Sequence, residues 1–79
     1  MKILYFARLR EAFGESEEIG FSEEKTVSEI IDMLTARGPE WAVEFSKPYR
    51  VAVNRKMANF DVKVSNPDEL AIFPPVTGG

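Results

Sequence analysis

Few residues of this chain carry chemistry of their own. Histidine and cysteine are both absent, so proton transfer near neutral pH, thiolate attack and soft metal ligation lack their usual side chains. Ser28, Ser65 and Thr77 have no imidazole to activate them. Gly14, Gly20 and Gly38 stand alone, and neither G-x-x-x-x-G-K-[ST] nor G-x-G-x-x-G can be written from them. What remains is the closing stretch FPPVTGG. Phe73 precedes a proline and is held extended, and Pro74 and Pro75 fix the backbone near polyproline geometry. Val76, Thr77, Gly78 and Gly79 are thereby aimed away from the body, with a reach of about 13 Å at full extension. Gly78 and Gly79 can thread a channel too narrow for other residues and present the Gly79 carboxyl to a partner's active site. That carboxyl, with a reference pKa of about 3.3 to 3.7, is an anion at neutral pH and a poor electrophile. Another protein must activate it, so the chain is expected not to be an enzyme by itself.

A length of 79 residues, 44% apolar and 29% charged, fits one domain around a single core. The expected division is a domain over residues 1–75 and a flexible tail over 76–79. No apolar run approaches the roughly 18 residues that cross a bilayer, and the start lacks a signal-peptide layout, so a cytoplasmic protein without membrane contact is expected. A net charge of -3 speaks against nucleic acid. The average hides an asymmetry. Residues 11–32 hold Glu11, Glu15, Glu17, Glu18, Glu23, Glu24, Glu29 and Asp32 against Lys25 alone, while residues 47–63 hold Lys47, Arg50, Arg55, Lys56 and Lys63 against Asp61 alone. Two readings stand: a solvated charged surface, or an electrostatic docking face.

The elements that position the tail follow from patterning. MKILYFA reads as a strand, with Lys2, Leu4 and Phe6 on one face and Ile3 and Tyr5 on the other. Lys2 is costly to bury unpaired, which turns its face outward and Ile3 to the core. RLREAFGES reads as a short helical or turn connection stopped at Gly14, and EEIGF as a second strand pairing back on the first. In TVSEIIDMLTARGP, Thr26 and Glu29 make a capping box, and Val27, Ile30, Ile31 and Leu34 form one apolar stripe. Arg37 suits the helix C-terminus, Gly38 a left-handed cap and Pro39 a stop, with Met33 at the core or its boundary. PEWAVEF reads as a shorter helix with Pro39 at its first position, tucking Trp41 and Phe45 under the sheet edge. YRVAVN is a strand with Val51 and Val53 inward, NRK a turn, MANF a short return strand, SNPDE a turn and LAIF a last strand. The sum is an α+β arrangement, a sheet packed on one main helix in the β-grasp layout.

On the last strand, Leu70 and Ile72 meet the helix stripe and Phe73 points outward. If the first and last strands are neighbours, Leu4, Phe6 and Phe73 form an exposed apolar patch at the root of the tail, a feature that marks interfaces. The alternative is that DVKVSNPD or the tail folds over these rings.

LYFARLRE, TVSEIIDMLTARG followed by Trp41, AVN and above all ELAIFPPVTGG closely resemble the small subunits of molybdopterin synthase, a family of ubiquitin-like sulphur carriers. A related carrier of thiamine biosynthesis shares the fold and the Gly-Gly end but usually lacks Phe-Pro-Pro. The resemblance covers essentially the whole chain and implies a ubiquitin-like β-grasp with a mixed sheet. It implies that an adenylating activating enzyme uses ATP on the Gly79 carboxylate, that a sulphur donor system converts it to a thiocarboxylate, and that this gives sulphur to precursor Z (cyclic pyranopterin monophosphate) to form molybdopterin. It further implies a hetero-oligomer with the large subunit, which would carry the catalytic residues, and no cofactor or metal bound by this chain. Phe6, Arg10, Met57, Phe73, Pro74 and Pro75 are the residues it implies at the partner interface. The departure is SNPDEL, where the family commonly has Asp-Gly-Asp-Glu; a changed loop and unchanged function are expected. Two other classes remain open: a ubiquitin-like sulphur carrier or modifier of another pathway, thiamine included, and a nucleic-acid or scaffold module using the basic stretch with Tyr49 and Phe60.

Overall fold

The computed structural model describes residues 1–75, so the tail expected at residues 76–79 lies outside the described residues. β1 (Lys2–Tyr5) alternates as its sequence dictates, with Ile3 and Tyr5 buried and Lys2 exposed. α1 (Arg8–Phe13) follows and stops at Gly14, whose positive φ of 97° favours glycine. β2 (Ser16–Glu18) returns antiparallel to β1. This strand begins and ends earlier than the EEIGF expected from sequence. The Ile19 N–H still bonds the Met1 carbonyl at 3.0 Å, but the chain then leaves the sheet, and Asn66 takes both the N–H and the carbonyl of Phe21.

β3 (Lys25–Thr26) leads into α2 (Val27–Thr35), where the capping box forms as expected: the Thr26 hydroxyl accepts from the Glu29 N–H at 3.1 Å, and Glu29 Oε1 accepts from the Thr26 N–H at 2.9 Å. Val27, Ile30, Ile31 and Leu34 are all buried. Met33 flanks this stripe at the boundary and is 43% exposed. Gly38 departs as well. The helix is closed by Ala36 in right-handed geometry, and Gly38 sits at φ 160°, extended, as the N-cap of α3 (Pro39–Ser46). The two helices follow so closely that no left-handed cap fits between them. Arg37 is drawn away from the helix end: it pairs with Glu17 through two bonds of 2.6 and 2.8 Å and lies 4.7 Å over the Trp41 ring.

β4 (Arg50–Val53) and β5 (Lys56–Ala58) make a hairpin through Asn54 and Arg55, both at positive φ as a two-residue turn requires. Val51 is buried as expected, but Val53 is only half-buried near the turn. β6 (Lys63–Val64) pairs with β3, and β7 (Glu69–Phe73) closes the fold. The sheet order is β2-β1-β7-β4-β5, with β1 and β7 parallel and the other pairs antiparallel. Residues 61–68, one candidate to cover the outer patch, go elsewhere: Val64 joins the core beside the start of α2.

The core lies between α2 and one sheet face. Ile3, Tyr5, Val51, Leu70 and Ile72 meet Val27, Ile30, Ile31 and Leu34 there, each large aliphatic contributing about 1.5–3 kcal/mol by leaving water. Beside it runs a satellite of rings: Phe13 stacks on Trp41 at 3.6 Å, Tyr5 meets both edge-on, and Phe45, Tyr49 and Phe60 continue the line. Trp41 and Phe45 thus pack against α1 rather than under a sheet edge. Arg8 ties the same layer together, donating to the Glu44 carboxylate at 2.8 Å and to the Pro48 carbonyl at 2.6 Å.

Candidate functional site: the outer sheet face

Residues paired across a ladder share a face. The register therefore draws a row straight across the sheet: Ser16, Leu4, Ala71, Ala52 and Met57. One step toward the end of β7, Phe73 pairs with Arg50, and the Phe6 N–H donates to the Ile72 carbonyl at 3.2 Å, which sets Phe6 beside Phe73. At the opposite end the face turns charged with Lys2, Glu18 and Glu69. Of its large apolar side chains, Phe6 is 43% and Met57 62% exposed, while Leu4 and Phe73 are half-buried. Between Leu4 and Met57 the row drops to two alanines, Ala71 half-buried and Ala52 buried. The row is thus a shallow apolar trough between Leu4 and Met57.

Backbone strain fixes one corner of it. Ala7 has φ 53° and ψ -128°, a conformation that costs an alanine roughly 1–3 kcal/mol. It turns the chain from β1 into α1 and leaves Phe6 pointing outward. Arg10 is tied to the same corner, its N–H reaching the Phe6 carbonyl at 3.4 Å, while its guanidinium makes only a loose, exposed pair with Glu15 at 3.5 Å. Pro74 and Pro75 follow Phe73 at the surface, half-buried. Of the residues singled out from sequence, the structure gathers Phe6, Arg10, Phe73, Pro74 and Pro75 at one end of the face and sets Met57 at the far side. Val76, Thr77, Gly78 and Gly79 lie outside the described residues. Ala52 and Ala71 were missed by sequence reasoning, because an alanine gives no signal of an exposed large hydrophobic; the register with Leu4 and Met57 finds them.

Titration in the domain is structural. The Tyr5 phenol is pushed well above its ordinary value, chiefly by burial, and donates to Glu17 Oε2 at 3.0 Å. Glu17 is held below the usual carboxylate range, first by its hydrogen bonds from Arg37. Asp68 is lowered by Asn54 and the Ser65 N–H, the contacts that close the SNPDEL turn: its Oδ2 accepts from the Ser65 N–H at 2.8 Å. The Asp68 carboxylate thus closes the turn by accepting from the N–H three residues before it. Among the described residues no group of His, Cys, Asp and Glu is arranged to hold a metal ion, and no helix is long and apolar enough to cross a membrane.

A five-stranded mixed sheet wrapped on one helix, with a parallel pair of terminal strands at its centre and an outer face that is apolar and uncovered among the described residues, defines a ubiquitin-like β-grasp domain. The family model described as ThiS family matches residues 3–79, and the chain belongs to that family. Over its whole length it is 34% identical to the molybdopterin synthase sulfur carrier subunit of Escherichia coli (strain K12), covering 99% of that protein. Among solved structures it is similar to SAMP1 from Haloferax volcanii, with a TM-score of 0.77, 27% identity and coverage of 99% and 97% of the two chains. It also shares its fold with a chain of the complex of subunits 1 and 2 of molybdopterin-converting factor from Helicobacter pylori 26695, with a TM-score of 0.65, 20% identity and coverage of 99% and 96%.

Proposed function

We propose that this chain is the sulphur-carrying small subunit of a molybdopterin synthase. The observation that carries the proposal is the apolar trough converging on Phe6 and Phe73, at the strand end that leads into VTGG, in a chain whose full-length relative bears that name. The Gly79 carboxylate is the working group. An activating partner supplies ATP: a carboxylate oxygen attacks the α-phosphorus and pyrophosphate leaves. A sulphide-level sulphur from a donor then attacks the acyl carbon and AMP leaves with that oxygen, giving a thiocarboxylate. In the large subunit this sulphur attacks an oxygen-bearing carbon of precursor Z, the carbon–oxygen bond there breaks and the oxygen departs, and water cleaves the acyl–sulphur bond to restore the carboxylate and leave the sulphur on the pterin side chain. The outer face, with Phe6, Arg10, Met57, Phe73, Pro74 and Pro75, holds the large subunit, which supplies the catalytic side chains this chain lacks. Residues 1–75 serve as the docking body and residues 76–79 as the carrying tail.

The test is intact-mass analysis after incubation with the activating enzyme, ATP and a sulphur donor. The expected result is a gain equal to sulphur replacing one oxygen, lost on deletion of Gly79 while the melting temperature stays the same. No gain in the wild-type chain overturns the proposal. A second reading, transfer of the same activated carboxyl to amines of other proteins, is favoured by the likeness to a chain titled small archaeal modifier protein 1. It predicts an isopeptide-linked product in place of sulphur transfer.

A further inference from the structure

The sheet has two edges, and one of them is equipped to receive a strand. In the β4–β5 hairpin the two-residue turn makes Val53 and Lys56 a hydrogen-bonded pair, so Val51 and Ala58 are the next such pair and Ala52 and Met57 lie between them. The backbone groups of Ala52 face β7, in keeping with the Asn54 N–H bonding the Glu69 carbonyl at 2.8 Å on that side. By the same alternation the N–H and carbonyl of Met57 face away from β4, where no strand follows among the described residues.

Beside this edge lies a hollow of about 160 Å³ lined by Tyr49, Arg50, Val51, Met57, Ala58 and Phe60. Asn59 completes its lining, and its walls are polar and apolar in nearly equal measure, with the Tyr49 and Phe60 rings edge-to-face at 5.5 Å. A dry apolar cavity of about 150 Å³ is enough to take a benzene ring, so the hollow has room for one aromatic side chain. Arg50 lines it and Lys56 precedes Met57 on the same strand, neither making an ion pair among the described residues, and Arg55, in the adjoining turn, is 89% exposed and 3.7 Å from Glu69 at its closest. Three cations, Arg50, Arg55 and Lys56, thus belong to this hairpin, whereas Glu15 and Glu18 mark the opposite edge at β2.

We propose that the free edge of β5 is a strand-docking site for an extended, acidic segment of a partner protein, with the Met57 backbone extending the sheet and one aromatic residue of that segment seated in the hollow against Tyr49 and Phe60. Main-chain bonds supply the pairing, carboxylates meet Arg50, Arg55 and Lys56, and the hollow sets which residue sits centrally. This goes beyond sulphur carrying and does not depend on Gly79.

The probe is an acetylated and amidated peptide, Glu-Val-Glu-Phe-Glu-Val-Glu, titrated into the isotope-labelled full chain and followed by amide shifts. The expected result is that shifts concentrate at residues 56–60 and that affinity falls steeply with salt. Met57→Pro removes the outward donor and leaves the ladder to β4 intact, lowering affinity about fivefold. Should that variant melt early, the double variant Arg55→Glu, Lys56→Glu carries the test, with a loss of about tenfold. Equal binding of the peptide with Lys in place of Glu overturns the proposal, as do shifts that avoid Met57. Tighter binding of a uridine decamer at the same residues overturns it in favour of RNA. Concentration-dependent shifts at both Met57 and Ser16 without peptide overturn it in favour of a second copy joined edge to edge.

Discussion

The two faces of the central sheet obey the same alternation and end in opposite fates. On the inner face Ile3, Leu70 and Ile72 are wholly buried under α2. On the outer face Leu4, Ala71 and Phe73 are only half-buried, and Phe6 and Met57 stand in solvent. The inner face puts its bulk at the centre and the outer face at the rim, around two alanines. A face meant for water would place polar residues there. This one keeps apolar surface, so one face completes the fold and the other is left to the docking proposed above.

That contrast can be broken first where it is largest. Ile72→Ala empties the centre of the core and is expected to destabilise the chain by about 2–5 kcal/mol in urea unfolding; a loss below 1 kcal/mol would mean that the inner face is not what holds the fold. Next comes the outer centre: Ala71→Glu is expected to leave stability within about 1 kcal/mol but to weaken the complex with the large subunit by about 2 kcal/mol or more, measured by calorimetry. An unchanged affinity would remove the outer face from the interface.

Two smaller effects sharpen the comparison at the seam between the faces. Ala7→Gly relieves the positive φ that points Phe6 outward and should raise stability by up to about 1 kcal/mol. If the strain serves docking, the same variant binds the large subunit no better despite its steadier fold. The smallest effect is in pH. Glu17 is depressed in the folded chain, so its share of stability is complete above the ordinary carboxylate value of 4.5 and is lost as pH falls through the lower folded value. Tyr5 is raised, so its share is lost as pH climbs past the ordinary phenol value of 10. Glu17→Gln should flatten the acid limb of a melting-temperature profile and Tyr5→Phe the alkaline limb, with docking affinity at neutral pH untouched.

Much of this was legible in the sequence because a period of two and one unpaired lysine suffice. Lys2 turned its own face outward and carried Leu4 and Phe6 with it, and Phe73 followed from Leu70 and Ile72. The capping box of Thr26 and Glu29 was equally plain. What escaped has physical causes. β3 and β6 are two residues each, too short to show any alternation, so their segments read as loop. β2 was displaced because Ile19 and Phe21 look like strand while Asn66 pulls the chain off the sheet from 45 residues away. Arg37 looked like a helix-end cation, yet a bidentate partner and a ring face outweigh a dipole. Ala7, an ordinary residue in an unusual turn, leaves no trace in composition at all. The trough was half visible: its rim is aromatic and its floor is alanine.

The parallel pairing of β1 with β7 has a further consequence during synthesis. β1 has its central neighbour only when residues 69–73 have been made, and contacts so distant in sequence form late. A chain cut short before β7 lacks the middle of its sheet and both of the surfaces that depend on it. A partner that grips Phe6 and Phe73 together therefore accepts only molecules translated through to the strand beside the carrying end, and fragments are rejected without any dedicated inspection.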